Sequence, residues 1–408
     1  MARAVLVSPL DASSHVVVVG AGLAGWRTVE ALRDAGFDGA LTLVGEEPHP
    51  PYDRPPLSKQ VLSGRLGPDI LPLERRPVEV VRRFGVAATA LDAGRRRVWL
   101  SDGSEIAATH VVVATGARAR RLEVTAAEGV HTLRTRDDLD RLLGALERLG
   151  PGDRVAVIGG GFIGAEVATA LHARGLVPIV VEALARPLIG ALGPRVSAWL
   201  MDLPSRADIE VRCRQVVRDV VPRASGWRVE LAEGDLDVDL VVAGIGADPN
   251  VEWLAGSGLE IDRGVVVDEQ LEASEGVAAV GDVARFAWAG PLGLERIRVE
   301  HWQVAADHAL ALASWWTGRG APAPLVPYFW SDQYGTKIQL LGHPHADDEV
   351  DLVLGQPTDD RWLALYHRGG RVSGAVARRH PRALMLARPL VEVGTPLDEA
   401  LRAAPWAG

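Results

Sequence analysis

The chain has 408 residues, more than one hydrophobic core of ordinary size accommodates, so two or three domains are expected. Apolar residues make up 48% and charged residues 24%, a globular balance, and the formal net charge of −9 argues against a nucleic-acid partner. A single cysteine, Cys213, excludes an internal disulfide, a redox dithiol and a cysteine-based metal cluster, so electron chemistry has to run on a bound cofactor and no metal is expected. No run approaches the roughly 20 apolar residues of a membrane helix, and the opening MARAVLVSPLDASSH has too short an apolar run for a signal peptide. The expectation is a cytoplasmic protein with a loose first dozen residues.

In chain order, the apolar run Val16–Val19 reads as a strand, followed by a glycine turn and a helix with Val29, Leu32 and Ala35 on one side. A second strand, Ala40–Gly45, ends at Glu46. HPPYDRPPLSK is Pro-rich and predicts extended or turning chain rather than helix. Strand-like RRVWLSDG and THVVVATGA follow. A helical DDLDRLLGALERL and the turn GPGD lead into a second strand, glycine turn and helix, then the strand VPIVVE. CRQVVRDVV, WRVELA and DLVVAGIG read as further strands. VAAVGDVARF returns to the texture of the beginning, and WQVAADHALALASWW reads as a helix.

From Pro327 the pattern becomes short alternating strands and a helical tail. The fold class expected is therefore α/β, with two Rossmann-type dinucleotide-binding domains and a C-terminal α+β domain. The divisions expected are 1–118, 119–246, 247–326 and 327–408.

The glycine turns carry the chemistry. In G-x-G-x-x-G the first glycine makes the turn, the second admits pyrophosphate and the third lets helix and strand approach. Gly20, Gly22 and Gly25 satisfy this pattern, and Gly159, Gly161 and Gly164 satisfy it again. Each turn follows an apolar strand and opens a helix, and an acidic residue for a ribose hydroxyl ends the next strand, Glu46 in the first case and Glu182 in the second. Two dinucleotides are expected. Glu182 favours NADH over NADPH by repelling a 2′-phosphate, while the nearby Arg186 leaves NADPH open.

Taken together, GAGLAG, VGEEPHPPYDRPPLSK, VVVATGAR, GGGFIGAEVA, GIGADPN, VAAVGDVARF and FWSDQYGTKIQLLG resemble the FAD- and NADH-dependent ferredoxin reductases. These serve cytochrome P450s and ring-hydroxylating dioxygenases, with rubredoxin reductases and apoptosis-inducing factor among their kin. The resemblance runs from about residue 15 to about residue 390. It implies a glutathione-reductase-like fold in which an NAD domain interrupts an FAD domain.

It also implies roles by motif. Leu23 and Ala24 would join the first three glycines around FAD, Glu46 would hold its adenosine ribose, and Ala88 would contact adenine through its backbone. Arg54 and Lys59 would lie beside FAD, with Lys59 near the flavin ring, and Arg134 would reach the cofactor. Ala114, Thr115 and Gly116, with Gly281, would complete the FAD contacts. Asp282 would take the ribitol hydroxyls and Trp302 would sit against the ring. Phe162 and Ile163, with the second glycine set, Glu182 and Gly246, would wrap the nicotinamide nucleotide, and Glu166 would face Lys59. Lys59 and Glu166 are thus the catalytic candidates, and NADH and FAD the cofactors.

The partner implied is an acidic iron–sulfur ferredoxin (or a rubredoxin), indirectly a P450 or dioxygenase, with no nucleic acid or membrane and the chain a monomer or weak homodimer. Arg65, Arg296, Arg298, Arg378, Arg379 and Arg382 are candidates for docking it. Trp330 is left between flavin cover and domain core, Cys213 is assigned to packing, and His301 receives no role. The rivals are an NADH oxidase, peroxidase or disulfide reductase, against which the lone cysteine counts, and a role like that of apoptosis-inducing factor.

Overall fold

The structure is a computed structural model that describes residues 10–320 and 325–407. The expected looseness of the first dozen residues falls mostly on 1–9, outside the described residues. The chain divides into two compact units: Met1–Asp53, Leu71–Arg118 and Asp248–Tyr328 form one, and Arg54–Ile70, Ala119–Ala247 and Phe329–Gly408 the other.

In the first unit the strands His15–Val19, Ala40–Gly45, Val81–Phe84, His110–Val113 and Val277–Ala279 pair in parallel, with Glu272–Ser274 antiparallel at the edge. The runs VVVV and VVV have no polar face because helices and loops cover both sides, which is why they are continuous rather than alternating. From His15–Val19 the chain steps outward to Ala40–Gly45 and Val81–Phe84, then returns to the opposite side at His110–Val113. In sheets of this kind ligands bind at the carboxyl ends of the strands where the order reverses. Gly20–Gly25 and Ala114–Gly116 lie at that point. Helices Leu23–Asp34 and Trp302–Trp316 pack together on this unit, Val29 and Leu32 facing its core.

Edge residue Glu272 carries a measurable consequence. Its carboxylate accepts the indole N–H of Trp316 at 2.9 Å. Burial pushes the carboxyl up to about 7, opposed by that hydrogen bond and aided by the charges of Asp268 and Glu275. The folded value lies above the ordinary 4.5, so the stability this group contributes is present below about pH 4.5 and lost as pH rises through about 7. Glu272→Gln keeps an oxygen for the indole and cannot ionise. Its melting temperature relative to wild type is therefore expected to rise between about pH 5 and about pH 8. A difference unchanged over that range contradicts the assignment.

The second unit repeats the strand logic. Arg154–Ile158, Val177–Glu182, Glu210–Cys213, Leu240–Ala243 and Val130–Thr132 form a parallel sheet in which the reversal falls between Arg154–Ile158 and Leu240–Ala243. Gly159–Gly164 and Gly244–Gly246 sit there. A second five-stranded sheet, antiparallel, orders Tyr328–Gln333, Thr336–Gly342, Arg371–Arg378, Trp362–Arg368 and Glu349–Leu354, with helix Pro381–Val393 packed on it.

Two expectations need correction. CRQVVRDVV is not one strand: Arg214 takes φ +59°, ending Glu210–Cys213, and Val217–Pro222 joins an antiparallel sheet with Trp227–Leu231 and Leu236–Val238. The Pro-rich loop contains a 3₁₀ turn at Pro55–Ser58, because proline's fixed φ suits the first residues of a helical turn.

Candidate functional site

The two glycine turns are built alike, and the space around each glycine shows why. Gly20 has φ +114°, and a Cβ there would fall 2.2 Å from the Ala114 carbonyl oxygen. A Cβ on Gly25 would fall 1.9 Å from the Gly20 oxygen. Gly22 differs: among the described residues no atom lies within 4 Å of a Cβ built on it. Helix Leu23–Asp34 starts from Gly22 with no side-chain cap and no acidic residue in its first turn. Its first N–H groups and the positive end of its dipole therefore face an open space that suits a diphosphate.

The second turn repeats the arrangement. Cβ atoms on Gly159 and Gly164 would lie 2.4 Å from the Gly244 oxygen and 1.9 Å from the Gly159 oxygen, while Gly161 has the same clear space. Helix Phe162–His172 is likewise uncapped at Gly161. Phe162 stacks against Phe329 at 4.5 Å between ring centres, and Ile163 is exposed. Gly246, at φ +107°, accepts the Arg120 N–H through its carbonyl. The residues thus fit two dinucleotides, the group that FAD and NADH share.

The carboxylates that follow each turn are less alike than their spacing suggests. Glu46 is exposed beyond the end of Ala40–Gly45. Glu182 is only 8% exposed, and its two oxygens accept the Gly160 and Leu184 N–H groups, each at 2.7 Å. It braces the second turn from below. Cys213, its cross-strand neighbour, has its thiol pushed up by burial first and by the Glu182 charge second. A thiol held more firmly in its protonated form is a weaker nucleophile, which disfavours redox work.

In the first unit, Thr115 donates its hydroxyl to the Asn250 carbonyl at 2.8 Å, and Asn250 returns its amide to the Thr115 carbonyl at 2.9 Å. The Asn250 N–H reaches the Gly116 carbonyl, and the Ala114 N–H continues the sheet to Val19. These bonds fix Ala114–Gly116 beside the first glycine turn. Gly281, at φ +71°, donates its N–H to Nδ1 of His308 at 3.2 Å. Burial pushes His308 down to about 3, so it stays neutral and accepts there. Asp282 follows, half-buried, its carbonyl held by Arg298 at 3.0 Å. The Trp302 indole donates to Asp53 at 2.7 Å. Ala88 begins the strand Ala88–Asp92 and is half-buried.

In the second unit, Arg54 donates to the Arg134 carbonyl at 2.7 Å, and Arg134 itself precedes the capping box of Thr135 and Asp138 that starts helix Arg136–Leu146. Lys59 Nζ lies 2.7 Å from Oε2 of Glu166. Their side chains are 12% and 2% exposed. Three further residues belong to this cluster and were passed over in the sequence: Ser58, Ser331 and Gln333. Ser58 Oγ donates to Oε2 of Glu166 and Ser331 Oγ to Oε1, both at 2.6 Å. Both serines stand inside the motifs PPLSK and FWSDQ, but a serine's partner becomes visible only when distant segments meet.

Two docking candidates are corrected. Arg378 is 3% exposed, its guanidinium spent on Asp360 and the Asp359 carbonyl. Arg298 is engaged by Glu300 and the Asp282 carbonyl. Arg65, Arg296, Arg379 and Arg382 are exposed. Among the described residues no helix is long and apolar enough to cross a membrane.

The pattern of the pyridine nucleotide-disulphide oxidoreductase family matches residues 14–309, and that of the reductase C-terminal domain matches 328–406. Rhodocoxin reductase of Rhodococcus erythropolis is 36% identical over 395 residues, covering 94% of this chain and 90% of that protein. The ferredoxin–NAD(+) reductase subunit of the benzene 1,2-dioxygenase system of Pseudomonas putida is 35% identical, with 93% of each covered. Putidaredoxin reductase, in its covalent complex with putidaredoxin, superposes with a TM-score of 0.89 at 29% identity, covering 98% of this chain and all of that one. The chain belongs to the pyridine nucleotide-disulphide oxidoreductase family, among its flavin- and NAD(H)-dependent ferredoxin reductases.

Proposed function

We propose that this chain is an NADH:ferredoxin reductase with FAD in the first glycine turn and NADH in the second, supplying a ferredoxin that feeds a P450 or ring-hydroxylating dioxygenase. The observation that carries this reading is the repeated cradle at Gly22 and Gly161, each at an uncapped helix start. FAD, when bound, would supply a hydride acceptor for NADH and a one-electron donor for the ferredoxin.

The chain's own residues do the rest. The N–H groups after Gly22 and Gly161 receive the two diphosphates. Glu46 and Ala88 would take the adenosine end of FAD, Asp282 its ribitol hydroxyls, and Trp302 would rest against the ring. Arg54 and Arg134 help retain the cofactor. Lys59 supplies positive charge where negative charge develops on reduction, and Glu166 keeps its ammonium in place. A buried pair of this kind is weak evidence for stability but has a clear use in chemistry. Glu182, buried and ionisable beside the second turn, disfavours a 2′-phosphate and so favours NADH over NADPH.

Support against disulfide chemistry comes from Cys213, the single cysteine, on a strand of the second unit. Support for an acidic protein partner comes from the exposed Arg65, Arg296, Arg379 and Arg382. The test is steady-state electron flow from NADH to a [2Fe–2S] ferredoxin, read by cytochrome c reduction at rising salt. The expected result is ferredoxin-dependent turnover that falls with ionic strength and is slower with NADPH. Turnover indifferent to ferredoxin contradicts the reading, and turnover indifferent to salt removes the arginines from docking.

A further inference from the structure

We infer that Ser331, oriented by Gln333, is a positioning residue for hydride transfer: it fixes the Glu166 carboxylate and, through it, Lys59. The inference rests on the reading that Lys59 serves the flavin.

Glu166 sits on helix Phe162–His172, 2% exposed, and an ionised carboxylate offers about four lone-pair directions. One ammonium meets one of them. Ser58 and Lys59 both approach Oε2, at 2.6 and 2.7 Å. Oε1 is met from the antiparallel sheet by the Ser331 hydroxyl at 2.6 Å. The carboxyl group is thereby held at both oxygens, by segments more than a hundred residues apart on either side. Its terminal torsion is soft by nature, so a group held at one oxygen swings about that contact.

Gln333 decides which way the Ser331 proton points. Its Nε2 donates to Ser331 Oγ at 3.2 Å, so the serine oxygen accepts from Gln333 and its own hydrogen is committed to Glu166. Ser331 and Gln333 are both fully buried, where water cannot stand in for a lost donor. Without the Ser331 hydroxyl, Oε1 loses this partner. The carboxyl group then turns, and Lys59, whose other contact is the Pro55 carbonyl at 3.4 Å, turns with it. The strand that carries Ser331, Tyr328–Gln333, thus acts on the chemistry at a distance.

The test is anaerobic stopped-flow reduction of the FAD-loaded protein by NADH, for wild type, Ser331→Ala, Ser331→Thr, Lys59→Ala and the double variant Lys59→Ala/Ser331→Ala. Ser331→Ala is expected to lower the limiting reduction rate about tenfold, the worth of one hydrogen bond to a charged group, with NADH half-saturation little changed. Ser331→Thr restores the rate. On the Lys59→Ala background, Ser331→Ala adds less than about twofold, because its effect passes through the lysine. A purely structural serine would cost the same on both backgrounds, and that result overturns the inference. So does a Ser331→Ala rate equal to wild type. If Ser331→Ala does not fold, Ser331→Cys, a weaker donor of similar size, is read in its place with the same expected direction. Unimpaired reduction by Lys59→Ala alone overturns the reading of Lys59 itself, and is seen before any serine variant is considered.

Discussion

Lys59→Ala is expected to retain FAD and lose roughly a hundredfold in the rate at which NADH reduces it, about 2.7 kcal/mol of barrier. The size follows from the geometry. The ammonium is almost out of solvent and is fixed by Glu166 at 2.7 Å, so its field needs no reorganisation during reaction. Retention of FAD follows because the cradle at Gly20–Gly25 is made of backbone in which Lys59 has no part. Lys59→Arg keeps the charge but replaces a point donor by a planar fork, and should recover only part of the rate. Glu166→Gln should fall between wild type and Lys59→Ala, since an amide holds the lysine less firmly than a carboxylate does. Rapid-mixing absorbance in the visible checks all three. Loss of colour in Lys59→Ala, or an undiminished rate, contradicts the role given to the lysine.

The second large effect separates the two cradles. Gly22→Ala should fold, since its φ of −80° suits any residue and its Cβ meets open space. That Cβ would occupy the position a diphosphate needs. FAD affinity should fall at least about a hundredfold, from the loss of two charge-assisted hydrogen bonds worth ~1.5–3 kcal/mol each. The apoprotein's melting temperature should equal that of wild-type apoprotein. Gly161→Ala, by the same geometry at φ −74°, should leave the protein yellow and weaken NADH instead. Gly25→Ala is the contrasting control: its Cβ would lie 1.9 Å from the Gly20 oxygen, so it should damage the fold itself. Fluorescence titration with FAD and calorimetry of the apoproteins measure these. Gly22→Ala with normal FAD affinity would mean that the open space serves something else.

The glycine turns were legible because their constraints are local. Gly20 and Gly159 need a left-handed backbone, Gly25 and Gly164 sit against carbonyl oxygens a few residues away, and the flanking strands announce themselves as unbroken valine runs. The helix Trp302–Trp316 was legible for the same reason. Lys59 and Glu166 were named only through the family resemblance, since 107 residues of chain separate them. What the sequence concealed was the outcome of competition between distant segments. Glu182 reads as a ribose ligand, and nothing in the sequence signals that each of its oxygens also accepts a backbone N–H. Arg378 reads as surface charge, yet the antiparallel sheet buries it beside Asp360, and burial lowers its basicity. CRQVVRDVV reads as one strand because apolar content does not reveal the left-handed turn at Arg214.

The most direct test is the simplest. Purified protein, loaded with FAD and kept without oxygen, is titrated with NADH while its visible spectrum is followed. One equivalent of NADH should bleach one equivalent of bound flavin within the mixing time, and NADPH should do so far more slowly. A chain that stays colourless in excess FAD, or a bound flavin that NADH leaves yellow, contradicts the pairing of the two cradles with these two nucleotides.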